Sequence, residues 1–226
     1  MMTDIFNLRS SSFAKYCFGK SLAKYYPTRE EQLKLDKSGE EQVISGWFLE
    51  KAIAVGNKHE KHGIAKWCKV NNKIPQFILG DQVSRKVDNW MNLGGEQTTS
   101  ISTTPDGIYK DCILEVKTTN HGKSCFKEFP KQYLPQVYGQ QMVMNMWYGQ
   151  ENIDKKITRT HLINFSKPKA YTRIWEVTYN QDFINFLILL LEEYSNRLVD
   201  LSDKPLDEKP KFEGSVDENI KLIWEG

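Results

Sequence analysis

The chain has 226 residues, 39 % of them hydrophobic and 27 % charged, with a formal net charge of +2. That is enough chain for one domain with a sizeable core and an ordinary globular balance. Global charge does not announce a polyanion ligand, but residues 200–226 hold eight acidic and four basic side chains, leaving 27 basic against 21 acidic elsewhere. The start, Met1 to Asn7, lacks the basic-then-apolar pattern of a signal peptide. Ser10, Ser11 and Ser12 read as the cap of a helix running to about Tyr25. Thr28 with Glu31 three residues on has the spacing of a capping box. Lys34 to Glu41, charged and containing Gly39, reads as a loop. Residues 46–70 have helical spacing, with Trp47, Phe48, Ile53, Ile64, Trp67 and Cys68 as core contacts and Glu60 on the same segment. His59 and His62 lack the one-turn spacing of a zinc-protease pair and read as surface or packing residues. Residues 76–91 read as a helix ended by Gly94-Gly95, and the Thr- and Ser-rich 96–104 as a strand.

The most informative stretch is 104–117. Pro105-Asp106-Gly107 reads as a turn and Ile113 to Lys117 as a strand, whose alternation puts Ile113, Glu115 and Lys117 on one face and Leu114 and Val116 on the other. Asp106 reaches Glu115 and Lys117 if residues 98–106 pair with 111–118 as a hairpin. Two carboxylates and a lysine at the mouth of a sheet suit Mg²⁺-dependent phosphodiester hydrolysis, since Mg²⁺ takes hard oxygen ligands and a nearby ammonium stabilises developing negative charge. By itself an acid-x-Lys triplet is more often a solvated face or a cross-strand ion pair. Further on, Lys123, Lys127 and Lys131 are ordinary exposed lysines that can also face a DNA backbone. Residues 131–148 form an amphipathic helix with Gln136 and Gln140 one turn apart; Tyr133 and Tyr138 read as packing or DNA-contacting residues, packing being the commoner role. Strands at 157–165 and 171–179 flank the turn Ser166 to Lys169. The stretch Gln181 to Leu198 reads as a long helix; its apolar run Phe183 to Leu191, interrupted by Asn185, is too short to span a bilayer. The tail ends in an apolar patch, Ile220 to Trp224, that docks on the body or on another subunit. Cys17, Cys68, Cys112 and Cys125 form no C-x-x-C pair and suggest no disulfide framework, which fits a reducing, cytoplasmic setting.

Pro105-Asp106 followed by Glu115-Val116-Lys117 resembles the Asp…(Asp/Glu)-x-Lys signature of the restriction-endonuclease-like nucleases. The run Tyr133 to Val143 is similar to the glutamine-bearing helix of the phage lambda exonuclease / YqaJ-like viral recombinase family, and Gly56 to Glu60 to its Gly-x-x-x-Glu helix. The three motifs stand in the family's order over roughly residues 50–150. The resemblance implies an α/β fold with a central mixed sheet flanked by helices: one nuclease domain over 1–200, mainly helical to 95, and an acidic tail over 201–226. It implies Mg²⁺, with Mn²⁺ able to substitute, held by Asp106, Glu115, the Val116 carbonyl and Glu60. Lys117 would position or activate the water, with Gln136 supporting it. Ser11 or Ser12, and Thr104, would hold a 5′-phosphate, although Arg9 lies closer to the serines than the family's arginine does. The implied activity is 5′→3′ exonucleolytic cutting of double-stranded DNA ends, by a ring of three subunits working with a single-strand annealing protein. An endonuclease of the same fold, and a non-catalytic nucleic-acid-binding scaffold, are the alternatives.

Overall fold

The structure, a computed structural model, describes residues 3–39, 47–75, 84–119, 125–166, 171–199 and 205–226, with the backbone alone for Thr3 and 47–58. Chain order is β1 (Thr3–Arg9), α1 (Phe13–Cys17), α2 (Arg29–Ser38), α3 (Trp47–Asn71), β2 (Arg85–Gly94), β3 (Gln97–Thr103), β4 (Gly107–Tyr109), β5 (Cys112–Thr119), α4 (Leu134–Gln150), β6 (Arg159–Ser166), β7 (Tyr171–Thr178), α5 (Gln181–Val199) and β8 (Ile220–Glu225). Two mixed sheets result, β1-β3-β2 and β4-β5-β6-β7-β8. The second is the core, and its centre is a β5–α4–β6 unit in which the two strands run parallel and the helix makes the crossover.

Period-two alternation divides that sheet between two helices. Leu114 and Val116 of β5, with Ile163 and Ile174, face α3 through Ile64 and Trp67. Ile113 faces α4 through Met144 and Tyr148, while Leu162, Trp175 and Val177 join the larger cluster beneath α4 and α5. α3 lies very close to β5: a Cβ at Gly63 would sit 2.6 Å from Val116 Cγ1. Trp67 Nε1 donates to His161 Nδ1 of β6 at 2.8 Å, tying the same helix to the sheet. His59 and His62 meet at 3.3 Å between their Nδ1 atoms, and His62 stacks on Phe165.

Several expectations change. The Ser10-led helix is only α1; Gly19, at φ +49°, turns the chain before Tyr25. The capping box at Thr28 forms with both of its hydrogen bonds. Helix α2 then runs through the supposed loop to Ser38, where Gly39, at φ +69°, closes it. Residues 85–91 belong to strand β2 rather than to a helix. Asn89, at φ +50°, and a register shift between Val87 and Met91 break the alternation that would have marked a strand. Gly94 and Gly95, both at positive φ, make the hairpin turn to β3. Residues 98–103 do not pair with β5. They lie in β3, between β1 and β2, and Pro105 sends the chain on to the short β4, which is the hairpin partner of β5. Residues 40–46, 76–83, 120–124 and 167–170, and the side chains of Trp47, Phe48 and Ile53, lie outside the described residues.

The N-terminal stretch therefore carries β1 and β2 besides its helices. The C-terminal stretch is built into the body, with β8 pairing antiparallel to β7. Arg29, fully buried, fastens residues 205–208: it donates to the Asp207 carbonyl (2.7 Å), the Tyr16 carbonyl (2.7 Å) and Glu193 (2.8 Å). The Glu208 carboxylate in return accepts the Arg29 and Glu30 N–H groups, both at 2.9 Å, at the start of α2. The four cysteines are free. Among the described residues no helix is long and apolar enough to cross a membrane.

Candidate active site

The β4–β5 hairpin fixes the first two residues. Gly107 pairs with Leu114, so one further step along the register sets Asp106 opposite Glu115. Asp106 Oδ2 accepts the Val116 N–H at 2.7 Å, which anchors the carboxylate at the point where the chain enters β4. Two residues along β5, Lys117 Nζ donates to Glu115 Oε1 at 2.6 Å. The crossover helix supplies the rest. α4 starts with Pro135 in its first turn, where a missing N–H is harmless. Gln136 and Gln140 then point at β5 from successive turns. Gln136 Nε2 donates to Glu115 Oε1 at 2.7 Å and Gln140 Nε2 to Oε2 at 2.6 Å. Each oxygen of the buried Glu115 carboxylate thus has its own carboxamide.

Charge is crowded here. Burial first, then the Glu115 charge, push the Asp106 pKa well above the usual carboxylate range, against the pull of the Val116 N–H. Glu60, reaching over from α3, is raised in the same way by burial and by Glu115. Burial alone would lower the Lys117 pKa, but the Glu115 charge and hydrogen bond outweigh it and hold the amine above the ordinary lysine range. Lys117 is therefore an ammonium at neutral pH, with 22 % of its side chain exposed and Nζ lying 5.0 Å from the centre of the Tyr133 ring.

Among the described residues no three His, Cys, Asp or Glu side chains converge into a ready-made metal cage. Mg²⁺ needs less than that: one or two carboxylates, with water and substrate oxygens for the remaining positions. Asp106 and Glu115, buried hard-oxygen donors opposite one another that repel, fit such a cation, with Val116 next to Glu115 along β5 and Glu60 adding charge.

Beside the glutamines lies a cavity of about 370 Å³, lined by Arg9, Ser10, Ser11, Thr103, Thr104, Gln136 and Gln140 among others. Ser11 and Thr104 thus meet in one place, and Arg9 joins them. Ser12 is not part of this lining; it takes the N-cap position of α1 without a side-chain cap bond, and its hydroxyl bonds Tyr16. Ser10 Oγ donates to Thr103 Oγ1 at 2.8 Å, so here too a serine serves the junction with β3 rather than a helix cap. Sequence reasoning missed Gln140 and Tyr133 as parts of the site. The i, i+4 spacing of the glutamines was the signal for the first; for Tyr133 it was its place at the head of the glutamine-bearing run.

Neither a family model nor a curated protein sequence matches the chain. Among solved structures it is similar to an alkaline exonuclease (LHK-Exo) from Laribacter hongkongensis, with a TM-score of 0.54 and 14 % identity over 85 % of this chain and 89 % of that one. SSO0001, at a TM-score of 0.45 and 14 % identity over 84 % of this chain and 74 % of that one, is more distant. At this identity the likeness is one of fold. The chain has a restriction-endonuclease-like core, mixed sheets flanked by helices.

Proposed function

We propose that the protein is a metal-dependent deoxyribonuclease that hydrolyses phosphodiester bonds from the ends of double-stranded DNA, 5′→3′. The observation that carries this reading is the meeting of Asp106, Glu115 and Lys117 in the β4–β5 hairpin, with Glu115 held by two glutamines. Asp106, Glu115 and the Val116 carbonyl would hold Mg²⁺, or Mn²⁺ in its place, with Glu60 in support. Bound there, the ion would supply Lewis-acid polarisation of the phosphate and a more acidic water. Lys117, kept charged by Glu115, orients the attacking water and stabilises the negative charge that builds on the phosphoryl oxygens as the bond to the leaving oxygen breaks. Gln136 and Gln140 fix the Glu115 carboxylate so that it does not reorganise during the reaction. The cavity of Arg9, Ser11 and Thr104, adjoining Gln136, would seat the 5′-phosphate of a DNA end, which supports the choice of ends over internal sites. A ring of three subunits and a single-strand annealing partner belong to the same proposal and rest on the family resemblance.

The test is an assay of the purified protein with Mg²⁺ on end-labelled linear duplex, with and without a 5′-phosphate, beside closed circular DNA. Linear duplex is degraded, faster when phosphorylated, and circles survive. Lys117→Ala lowers the rate by at least about a hundredfold, the scale for losing one such electrostatic contact. Cleavage unchanged in that variant would rule the mechanism out, and cutting of circles would make the enzyme an endonuclease.

A further inference from the structure

His59 and His62 lie three residues apart on α3, a spacing that makes them neighbours on one helix face. Their Nδ1 atoms are 3.3 Å apart. The His62 ring, exposed to solvent, stacks on Phe165 of β6, with centroids 6.0 Å apart and 12° between the planes. The His59 ring, 4 % exposed, is inclined to that of His62 at 40°. The backbone beneath them is fixed. Gly63, the next residue, brings α3 so close to Val116 of β5 that even a Cβ would meet it. One turn on, Trp67 hydrogen-bonds His161 of β6. The pair therefore stands on a stretch of helix that the sheet holds in place, and one of its rings rests on a sheet side chain.

As a hydrogen bond between the rings, 3.3 Å is long, since an N–H donor usually stands about 2.7–3.2 Å from its acceptor. The same distance is the edge of a coordination tetrahedron: ligands about 2.0–2.1 Å from a Zn²⁺ ion are about 3.3–3.4 Å from one another. Imidazole nitrogens suit borderline ions such as Zn²⁺, whereas carboxylates suit Mg²⁺ and Mn²⁺. We propose that His59 and His62 form a two-nitrogen site for a borderline divalent cation, Zn²⁺ foremost, distinct in place and in chemistry from the carboxylates of the β4–β5 hairpin. Among the described residues no group of three His, Cys, Asp or Glu side chains completes a cage. Water therefore fills the remaining positions, and the ion exchanges with solvent instead of being enclosed as a structural zinc is. Bound there, it cross-links adjacent turns of α3 at the point where that helix carries Glu60. The site uses none of Asp106, Glu115 and Lys117, so it stands or falls independently of the nuclease reading.

The test is calorimetric titration of the full chain with Zn²⁺ in a large excess of Mg²⁺, which occupies the carboxylates. A parallel titration with Co²⁺ is followed by its visible spectrum. The proteins are the wild type, His62→Phe, His62→Ala and His59→Leu, and thermal melts check that each variant is folded. His62→Phe is the central variant, because it keeps a ring to stack on Phe165 and removes only the nitrogens. The wild type binds Zn²⁺ reversibly, and Zn²⁺ bleaches the bands of bound Co²⁺. Each variant binds Zn²⁺ at least about tenfold more weakly, a loss no smaller than that for removing a mere supporting partner of a metal ligand. Zn²⁺ binding by His62→Phe equal to that of the wild type would place the ion elsewhere and overturn the proposal. A wild type that takes up no Zn²⁺ beside Mg²⁺ overturns it as well. If His59→Leu fails to fold, the two His62 variants, altered at an exposed position, decide the matter alone.

Discussion

Asp106 shows what a buried acidic residue costs the fold. Its carboxylate is buried beside that of Glu115, and burial and repulsion together raise its pKa. The sign follows from linkage. A carboxyl whose folded-state pKa lies above its unfolded value favours folding while protonated, and that contribution is lost as pH rises through the folded pKa. Asp106→Asn keeps an oxygen for the Val116 N–H and removes the charge. It is therefore expected to melt about 2–4 °C higher than the wild type at neutral pH without divalent ions, corresponding to about 1 kcal/mol in a chain of this size. It should lose Mn²⁺ binding at the same time. The advantage should shrink as pH falls toward the ordinary carboxylate range, and a melting series across pH checks both halves. At this scale much was legible. Asp106, Glu115, Lys117 and Gln136 could be named because strand alternation and short hairpins act over a few residues, and the structure brings those four together. Gln140 stayed without a role because which of two glutamines reaches a carboxylate depends on how a helix is rotated on its sheet, which spacing alone leaves open.

Elements divided along the same line. α3, α4, α5, β6 and β7 stood out because their patterns are long and regular. β2 did not, since a bulge at Asn89 scrambles its alternation, and the partner of β5 was misassigned because pairing between strands is a tertiary choice that local preference does not make. The docking of α3, which carries Glu60, shows such a choice in detail. Trp67, 1 % exposed, gives its N–H to His161 Nδ1, leaving His161 Nε2 to carry the proton and donate to Glu176 at 3.1 Å. Burial lowers the His161 pKa, against the pull of Glu176. With the folded pKa depressed, this contact contributes fully above about pH 6.5 and weakens as pH falls below it. His161→Leu leaves a buried indole N–H without an acceptor and should cost about 1–3 kcal/mol in urea unfolding at pH 7.5. His161→Gln, which can still accept, should cost less. Equal costs for the two variants would show that volume, not the hydrogen bond, holds the helix.

At the scale of the whole molecule, composition and charge spoke only for a globular domain; residues 201–226 were expected to be an acidic tail whose apolar end, Ile220 to Trp224, docks on the body or on another subunit. The structure fastens residues 205–226 to the body at two points, through β8 on β7 and through Arg29 and Glu208 at the start of α2. A lone arginine 179 residues before its partner gave no sign of this, because only the fold brings the two together. Arg29→Met fills most of the same space but leaves the Tyr16 and Asp207 carbonyls without their donor. It should cost about 3 kcal/mol and raise amide hydrogen exchange across residues 205–226 before it does so in β5 or β6. Uniform exchange across the chain in that variant would mean that the clamp is part of global unfolding rather than a local fastening.

The sheet order β4-β5-β6-β7-β8 carries one more consequence. As a ribosome delivers the chain, the hairpin with the acidic pair, the glutamine helix and the strand that flanks them have all emerged well before the last twenty residues. The inner strands can pair first, while the pocket around Arg29 and the bare side of β7 must wait until residues 205–226 have followed. A nascent molecule can thus be assembled at its centre while its rim is still open.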